Sequence, residues 1–363
     1  MTIFEPLPEV PVTVLDGLPN RVLSVRWFVT EHDGVPIGEL TPFADSVPRM
    51  SFDVHRSIGR SVSGLVVDWE SYRDLDLFHH RVQPTVQTAL HETFVGDPMG
   101  VFMFADPAAT RATARTRDRY LSLTLVDRGQ IVDQEIGRAL GVARGTYIGT
   151  ALQTFTAQLY GVPFEIESSV YQTAADMTWA PTATWRQVFD DLGSLGGYLP
   201  LWFDRVGVGR LMLTPDPDQH PFPDVDYDES RTILAGSVSE SYDILQVPNR
   251  YVVVEASPQD QPLVGVYDVP LAEPYSIAQR GYAVPRSRTM EGLTSPEHAN
   301  QVARNDALTD RNPYRTIEWQ TRWDRQIDGA GLVQVDGETW LETAWDWECT
   351  AGGLVTHRAQ RPR

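Results

Sequence analysis

The chain has 363 residues, 42% of them apolar, and a formal net charge of −19 at pH 7. A chain of this length is expected to form two to four modules rather than one large domain. Its acidic balance argues against a surface that holds nucleic acid, because duplex binding needs clustered cations that displace counterions.

Secretion and membrane insertion have no support in the sequence. No apolar run approaches the roughly 20 residues of a membrane-spanning helix. The first residues, MTIFEPLPEVPVTV, lack the basic and apolar regions of a signal peptide. The single cysteine, Cys349, rules out an intramolecular disulfide, so folding is not expected to depend on an oxidising compartment.

The first 126 residues have the pattern of short strands separated by turns. Gly, Pro, Asp and Asn clusters at 16–20 and 96–98 act as turn signals, and the polar stretch 111–117 is typical of a loop or hairpin arm. Several short strands with such turns predict a β-barrel or a β-sandwich. The alternating or β-branched segments lie at 10–15, 21–29, 51–55, 63–69, 100–104 and 120–126.

Helical signals begin at Asp127. A first helical segment is predicted from 127 to about residue 140, and a second over 146–160. A short strand is expected at 164–167. Region 127–213 is therefore predicted to be a compact α+β module. The second helix ends at Gly161, and its buried face is made by Ile148, Leu152, Phe155 and Leu159.

The stretch 182–213 carries the most regular pattern of the chain. Five apolar residues recur at helical spacing, with Thr182 or Thr184 as the N-cap and Gly196-Gly197 as the stop. A strand at 198–203, a glycine turn at 204–209 and a returning strand at 211–213 follow, which predicts a hairpin. The helical face consists of Trp185, Val188, Phe189, Leu192 and Leu195.

Beyond an acidic loop at 216–229, strand signals resume. Ser295-Pro296 is typical of a helix start, and that helix should run to about Asp310. No clean short repeat is present. The order of a β region, a helix-bearing insert and a β return nevertheless occurs twice, once on each side of about residue 235. The strands of the second half are predicted at 236–242, 247–255, 263–267, 315–323, 331–335 and 339–348.

Two groups of residues have the composition of a metal site. His79-His80 with His91-Glu92 could supply zinc ligands, but their spacing fits no compact zinc pattern and no cysteine joins them. The alternating acids from Asp224 to Glu229 resemble a calcium loop, yet the sixth-position glycine and the bidentate acid are missing. Surface or core histidines and a solvated acidic loop are the favoured interpretations.

The carboxylate pairs Glu165/Glu167 and Asp190/Asp191 are the best candidates for glycosidase acids. Neither is flanked by a sugar-binding pattern, so surface acids are the simpler interpretation. Tryptophans such as Trp69, Trp319, Trp323 and Trp345 lie within alternating strands, which favours core or interface positions over sugar stacking.

Two further motifs do not predict a phosphate-binding loop or a catalytic cysteine. Gly207-Val-Gly209 is followed by no phosphate-binding helix, and Cys349 lies in a late strand with no histidine partner evident from the sequence. The sequence therefore predicts no catalytic, cofactor-binding or metal-binding residue, and no enzyme.

The order of elements and two loose motifs resemble the tail hub proteins of long-tailed bacteriophages. This family includes minor tail proteins of actinobacterial siphophages and is related to the baseplate central hub of contractile tails. The first motif, W…T-W…V-F-D-D-L…G-G-Y…W-F-D…G…L-M-L-T-P-D, runs from Trp179 to Asp216. The second, S-Y-D…V-P-N-R-Y-V-V-V, runs from Ser241 to Val254.

The resemblance implies a mainly β fold with α+β inserts, built as two tail-tube-like β-barrel domains and two smaller decorating domains. Residues 1–126, with a return near 210–235, would form the first barrel, and 127–213 the α+β insert. Residues 236–270 and 314–363 would form the second barrel, with 271–313 as a small helix-containing insert. Because the chain stops at Arg363, the long enzymatic or receptor-binding extension of some relatives is not expected.

The resemblance also implies a homotrimeric ring with pseudo-sixfold symmetry at the virion tail tip, assembled in the bacterial host cytoplasm. Its partners would be the distal tail protein, the tape measure protein and tail fibre or tip proteins. DNA would contact it only in passage through the lumen, and no membrane anchor is implied. Because each chain carries −19, acids lining that lumen would keep DNA from adhering.

Other classes of protein account for some of the same residues. A distal tail ring or tube adaptor would be hexameric, whereas a hub is trimeric. A cell-wall carbohydrate-active enzyme would lose turnover in Glu165→Gln or Asp190→Asn variants. A carbohydrate-binding module would bind glycan without turnover.

Overall fold

The computed structural model of the protein describes residues 22–68, 75–90, 93–111, 119–215, 223–228, 233, 237–242, 244–245, 247–256, 262–308, 310 and 315–361. Within these ranges the protein is mainly β, as the sequence predicts. The predicted strand at 10–15, the candidates Trp69, His91 and Glu92, and most of the loop 216–229 lie outside the described residues.

The first region is a succession of strands. The predicted turn at 96–98 is wrong, because these residues end a strand that pairs with its neighbour through Thr85, Val86 and Gln87. The strands are β1 Val22–Thr30, β2 Pro36–Leu40, β3 Arg49–Asp53, β4 Arg60–Asp68, β5 Arg81–Leu90, β6 Thr93–Pro98, β7 Met103–Phe104, β8 Ala108–Arg111 and β9 Arg119–Val126.

The insert mixes short helices and strands. The helix predicted from 127 to 140 is wrong beyond its first turn, since Gly129–Val132 is helical and Leu140 already begins a strand. The predicted hairpin strand at 198–203 is regular only at its end. The helices are Gly129–Val132, Ile148–Thr156 and Trp185–Gly196, and the strands are β10 Leu140–Val142, β11 Phe164–Ile166, β12 Met177–Trp179, β13 Trp202–Phe203 and β14 Gly209–Leu211.

The helix Trp185–Gly196 forms as its local signals dictate. Thr184 is the N-cap, and its hydroxyl accepts a hydrogen bond from the Gln187 N–H. Gly197, with φ of 80°, ends the helix in the left-handed conformation. Phe189 is 1% exposed and packs against the Phe164 ring, with 6.1 Å between the ring centroids.

The second half adds nine strands and two helices to the described residues. The predicted helix near Ser295 is confirmed, running from Pro296 to Leu308. The helices are Ile277–Arg280 and Pro296–Leu308, and the strands are β15 Val225–Tyr227, β16 Ser239–Tyr242, β17 Arg250–Glu255, β18 Val264–Asp268, β19 Pro285–Met290, β20 Arg315–Arg322, β21 Gly331–Val335, β22 Glu338–Glu348 and β23 Leu354–Gln360.

One large sheet of eleven strands dominates the fold. Its main path runs β16-β20-β23-β22-β3-β4-β9-β7. Off this path, β8 pairs with β9, β21 pairs with β22, and β15 pairs with β21. The antiparallel pair β22–β3, with Trp345 opposite Phe52, joins the two ends of the chain. Strands from the two predicted barrel regions therefore share one sheet. The pairs of the described strands close no sheet into a barrel, although isolated bridges between Pro42 and Val67 and between Val82 and Phe102 join the β2-β1-β5-β6 sheet to the large one.

The sheet β2-β1-β5-β6 packs over the first part of this large sheet. Their common core contains Trp27, Val82, Phe102 and Leu123, and it extends to Trp345 from the last strands. A neighbouring core under β20–β23 centres on Trp319 and Trp340. Both cores lie on one face of the large sheet, because the pleat sends alternate residues of each strand to that side.

The insert and the second-half helices form another body with a single core. The strand β17 pairs antiparallel with β18 and parallel with β19, in a three-stranded sheet of its own. Its residues Tyr251 and Val253 share one core with Phe189 and Val302. The expected pairing of 236–270 with the final strands therefore holds, among the described residues, only for Ser239–Tyr242.

A buried arginine joins these parts. Arg60 is fully buried, and its guanidinium donates to the carbonyl oxygens of Phe203 (2.9 Å) and Met99 (3.2 Å), and to both the carbonyl and the carboxylate of Asp328. These acceptors come from the insert, the first region and the segment before β21. Because a buried charge is tolerated only when its donors are satisfied, all three parts must be in place together.

Asp127 lies beside Arg60 at the start of the insert. Its carboxylate accepts hydrogen bonds from the backbone N–H groups of Arg60 (2.7 Å) and Gly129 (2.8 Å). Burial nevertheless dominates and raises the pKa of Asp127 to about 6, while those two hydrogen bonds act to lower it. The carboxyl inside the junction between the first region and the insert therefore keeps its proton to a higher pH than an exposed aspartic acid does.

We predict that Phe189→Ala lowers the free energy of unfolding by about 3–5 kcal/mol, because it removes a fully buried ring and leaves a cavity. Urea denaturation of the purified chain measures this. Gln187→Ala, on the exposed side of the same helix, is the matched control and should cost well under 1 kcal/mol. Equal stability of the two variants would contradict the core role of Phe189.

Asp127→Asn tests the titration of the buried carboxyl. Since the folded pKa lies above the unfolded one, protonation favours folding, and this contribution is lost as the pH rises from about 4 through about 6. The free energy of unfolding of the wild type, relative to that of Asp127→Asn, should therefore fall by roughly 2–3 kcal/mol as the pH rises across that window. Denaturation curves at several pH values measure it, and a pH-independent difference would refute the shift.

Candidate functional surface

The large sheet has one apolar face and one polar face. The strand registers align the outward residues across the sheet: Arg49 lies opposite both Ser63 and Glu348, and Asp346 lies opposite both Ser51 and Thr356. Residues between them, such as Met50 and Trp347, point into the cores. We call the outward surface of β3, β4, β9, β16, β20, β22 and β23 the polar face.

Hydroxyl groups make up much of the polar face. Several bond to one another across strands, as Ser51 Oγ does to Ser61 Oγ (3.0 Å) and Ser241 Oγ to Thr316 Oγ1 (2.5 Å). Such short side chains leave the surface smooth and well hydrated. The hydroxyl residues are Ser51, Ser61, Ser63, Ser122, Thr124, Ser239, Ser241, Thr316 and Thr356.

Charged side chains on the polar face are mixed, with acids in excess. Two of the three arginines form ion pairs there: Arg49 with Glu348 (2.6 Å), and Arg358 with both Glu318 (3.0 Å) and Asp346 (2.9 Å). The five carboxylates outnumber the three arginines, so the face carries net negative charge. They are Asp53, Asp68, Glu318, Asp346 and Glu348 against Arg49, Arg322 and Arg358.

The ion pairs of this face are exposed, so they contribute little to the stability of the fold. Both members of the Arg358–Glu318 pair are about half exposed, and pairs of this kind contribute about 0–1 kcal/mol. Partial burial acts to lower the pKa of Arg358, but bonds and charges from Glu318 and Asp346 outweigh it and raise that pKa. The guanidinium is thereby held by carboxylates rather than offered to an anion.

The two histidine candidates in the described residues, His79 and His80, lie in a surface turn and bond to Asp76. His79 is exposed, and its Nδ1 lies 2.8 Å from Asp76 Oδ2, while His80 Nδ1 accepts a hydrogen bond from the Asp76 N–H (3.1 Å). The described part of the chain brings together no three His, Cys, Asp or Glu side chains that could hold a metal ion.

The acidic run from Asp224 is a strand where it is described, and the solvated loop expected there is wrong. Val225–Tyr227 pairs parallel with Val333–Val335, and Tyr227 is buried. Asp224 Oδ2 accepts a hydrogen bond from the Leu332 N–H (3.1 Å). The alternation of acidic and apolar residues therefore reflects the two faces of a strand.

The candidate glycosidase carboxylates Glu165, Glu167 and Asp191 bond to other groups of the fold. Glu165 pairs with Arg210, and Glu167 accepts a hydrogen bond from the Leu213 N–H (2.8 Å). Asp191 accepts from Trp179 Nε1 (2.8 Å), and partial burial raises its pKa. The structure does not arrange these side chains as two acids across a substrate cleft.

The glycine turn and the cysteine are structural. Asp204 is buried at the head of the turn, where its carboxylate accepts from the N–H groups of Val206 (3.0 Å) and Val208 (2.8 Å) and from Arg210. Gly207, with φ of 80°, closes the turn. Cys349 is buried, and burial raises the pKa of its thiol, so it is held as the unreactive protonated form.

The tryptophans that the structure describes lie in the core. Trp319, Trp323 and Trp345 are each at most 2% exposed, so none can stack on a sugar from solvent. Trp345 donates its indole N–H to the Asp328 carbonyl (3.2 Å), which links it to the acceptors of Arg60.

Several polar side chains are buried at positions that the sequence does not predict. His357 lies between Glu342 Oε1 (2.6 Å) and Thr321 Oγ1 (2.8 Å) in the core of the last strands. His298 Nε2 lies 2.9 Å from the Leu195 carbonyl oxygen, and burial lowers the pKa of His298. An arginine or histidine in an alternating strand or an amphipathic helix carries no local signal that distinguishes such positions from the surface.

Solved structures of phage tail proteins share this fold. The 43 kDa tail protein of prophage MuSo2 from Shewanella oneidensis is 12% identical, with a TM-score of 0.61 over 93% of this chain and 99% of that chain. A tail protein from Neisseria meningitidis MC58 is 13% identical, with a TM-score of 0.61 over 93% and 96%. Prophage tail protein gp18 from Listeria monocytogenes EGD-e is 10% identical, with a TM-score of 0.57 over 93% and 95%.

At this low identity the likeness is one of fold. No family model matches the sequence, and a comparison with curated proteins finds no match. Among the described residues, no helix has both the length and the apolar character that a bilayer crossing requires. The chain thus has the mainly β fold of phage tail proteins, which agrees with the coarse level of the sequence resemblance.

Proposed function

We propose that the chain is a structural hub protein of a long-tailed phage, of the minor tail protein type, placed at the virion tail tip. The observation that carries this is the continuous sheet, in which strands from both halves of the chain share one polar face. The fold likeness to tail proteins supports a building block rather than an enzyme.

In this proposal three copies form a ring, each supplying two β units, so that six similar units meet the hexameric tail tube. The ring would bind the distal tail protein on one side and tip or fibre proteins on the other, with the tape measure protein ending inside it. Assembly would take place in the host cytoplasm. The insert body, with its own core, would decorate the outside of the ring.

The polar face would line the channel through which DNA leaves the virion. Short hydroxyl side chains give no apolar hold on bases, and the excess of carboxylates repels phosphates. Two of the three arginines that could bind phosphate are already paired with acids. A wall of this kind lets a polyanion slide without adhering.

A density map of intact tails tests the proposed position and stoichiometry. We expect threefold density at the tail end into which three copies of this chain fit. Mass photometry of isolated tail tips should give three copies per tip. Six copies would instead identify a distal tail ring or tube adaptor, and the absence of the chain from purified tails would refute a virion role.

Charge reversal tests the channel face. Glu318→Lys with Asp346→Lys turns the net charge of the polar face from negative to positive and frees Arg358. We expect this variant to bind labelled double-stranded DNA at low salt, with an affinity that falls steeply as salt rises, while the wild type does not bind.

The matched control places the same two substitutions outside the large sheet, at the exposed residues Asp176 and Glu291. Fluorescence anisotropy measures DNA binding by both variants. It distinguishes an effect of the overall charge from an effect of where that charge lies. If the control binds DNA as tightly as the polar-face variant, the face has no special role.

A further inference from the structure

The strand β22 carries a β-bulge at the point where the large sheet branches. On one side it pairs with β21 up to Glu342 and with β3 from Ala344 onward, while β23 pairs with it on the other side across the bulge. Thr343 has no partner in β23, and its carbonyl oxygen accepts a hydrogen bond from the Val54 N–H (3.0 Å). The bulge is therefore held where the two parts of the sheet diverge.

The bulge reverses the inward and outward alternation of β22. After it, Trp345 and Trp347 point into the core, so strict alternation would place Glu342 on the polar face. Instead, Trp340 and Glu342 are the buried residues before the bulge, and Glu342 is 4% exposed. A bulge adds one unpaired residue and thereby re-aims the side chains beyond it. It places a carboxylate inside the core.

Glu342 belongs to a chain of buried polar side chains that crosses three strands. His357 on β23 has its Nδ1 2.6 Å from Glu342 Oε1 and its Nε2 2.8 Å from Thr321 Oγ1 on β20. The Trp319 ring stacks on the imidazole, with 4.9 Å between the centroids. We call Thr321, His357 and Glu342 the buried polar chain.

The order of hydroxyl, imidazole and carboxylate is that of a nucleophilic triad, but this position does not suit catalysis. A nucleophile must contact its substrate. Each of the three side chains is at most 4% exposed, so none of them faces solvent. The buried polar chain therefore acts on the fold itself.

The apolar pattern of these strands does not fix their register alone. A slip by one residue would turn core side chains outward, whereas a slip by two residues would leave each inward position inward. The buried positions 317, 319 and 321 of β20 and 355, 357 and 359 of β23 follow this spacing. A two-residue slip would, however, separate His357 from Thr321 and leave buried polar groups without partners, which is costly.

We propose that the buried polar chain and the bulge at Thr343 form a register lock, which selects one pairing of β20, β23 and β22 among those that the apolar pattern allows. The same pairing places Arg358 opposite Glu318 and 2.9 Å from Asp346 on the polar face. The lock thus also fixes which charges meet on that face. The inference concerns the specificity of folding, so it stands or fails independently of a role at the tail tip.

Disulfide trapping tests the register directly. In a Cys349→Ala background, Gln320→Cys with Thr356→Cys places two cysteines at directly opposite positions of the observed pairing. Gln320→Cys with Leu354→Cys, or with Arg358→Cys, reports a slip by two residues in one direction or the other. With the buried polar chain intact, we expect mild oxidation to link only the first pair. No such link in this reference chain would contradict the inference.

The main variant replaces the buried polar chain by apolar residues of similar shape: Thr321→Val, Glu342→Met and His357→Phe. Such networks can restrict a fold to one structure without stabilising it, so we expect a folded chain whose slipped links rise at least about tenfold. The control, Thr316→Val with Glu348→Met, changes outward residues of β20 and β22 and should link only the native pair. A folded triple variant that also links only the native pair would overturn the lock.

A pair of single variants decides the question if the triple variant does not fold. Glu342→Gln keeps an oxygen that can accept a hydrogen bond from His357, whereas Glu342→Met does not. We expect slipped links in Glu342→Met and none in Glu342→Gln. The same pattern of links in both variants would overturn the lock.

Discussion

The fully buried guanidinium of Arg60 is the constraint on which the architecture depends. Moving a charge out of water costs several kcal/mol unless every donor finds an acceptor. Its acceptors come from the first region, the insert and the segment before β21. The rings of Phe52 and Trp345 flank it, with centroids at 5.4 and 5.5 Å. If these parts separated, the guanidinium of Arg60 would lose its hydrogen-bond acceptors. The sheet and the insert therefore form one unit.

This junction explains how distant strands come to share one surface. The strands β3 and β22 pair although about 300 residues separate them, and Trp345 from one lies opposite Phe52 from the other beside Arg60. Once that pair is in register, the alternation of the pleat decides which side chains face outward on both strands. A single continuous polar face is therefore a consequence of packing at the junction, and the proposed channel depends on it.

Local signals in the sequence were sufficient for some elements and insufficient for others. The cap at Thr184, the apolar face through Phe189 and the stop at Gly197 are all encoded within one stretch, and the helix forms as predicted. The partners of β17 are not encoded locally, because a strand sequence does not name its neighbour in a sheet. The strands Arg250–Glu255 and Val264–Asp268 therefore pack with the insert core, and the acids near Tyr227 form a strand although their sequence predicts a loop. Buried Arg60, His298 and His357 gave no sequence signal either.

Several acidic and histidine side chains are bonded to other groups of the fold. Glu167 Oε2, Asp191 Oδ2 and both carboxylate oxygens of Asp204 accept hydrogen bonds from backbone, indole or guanidinium groups of the fold. His298 is likewise used, since it joins the Pro296–Leu308 helix to the end of the Trp185–Gly196 helix through the Leu195 carbonyl. The helix in the stretch 182–213 is thus bonded to the second-half helix with which it shares a core. Exposed apolar groups and a broad polar face with net negative charge are the surfaces that this molecule presents to its surroundings.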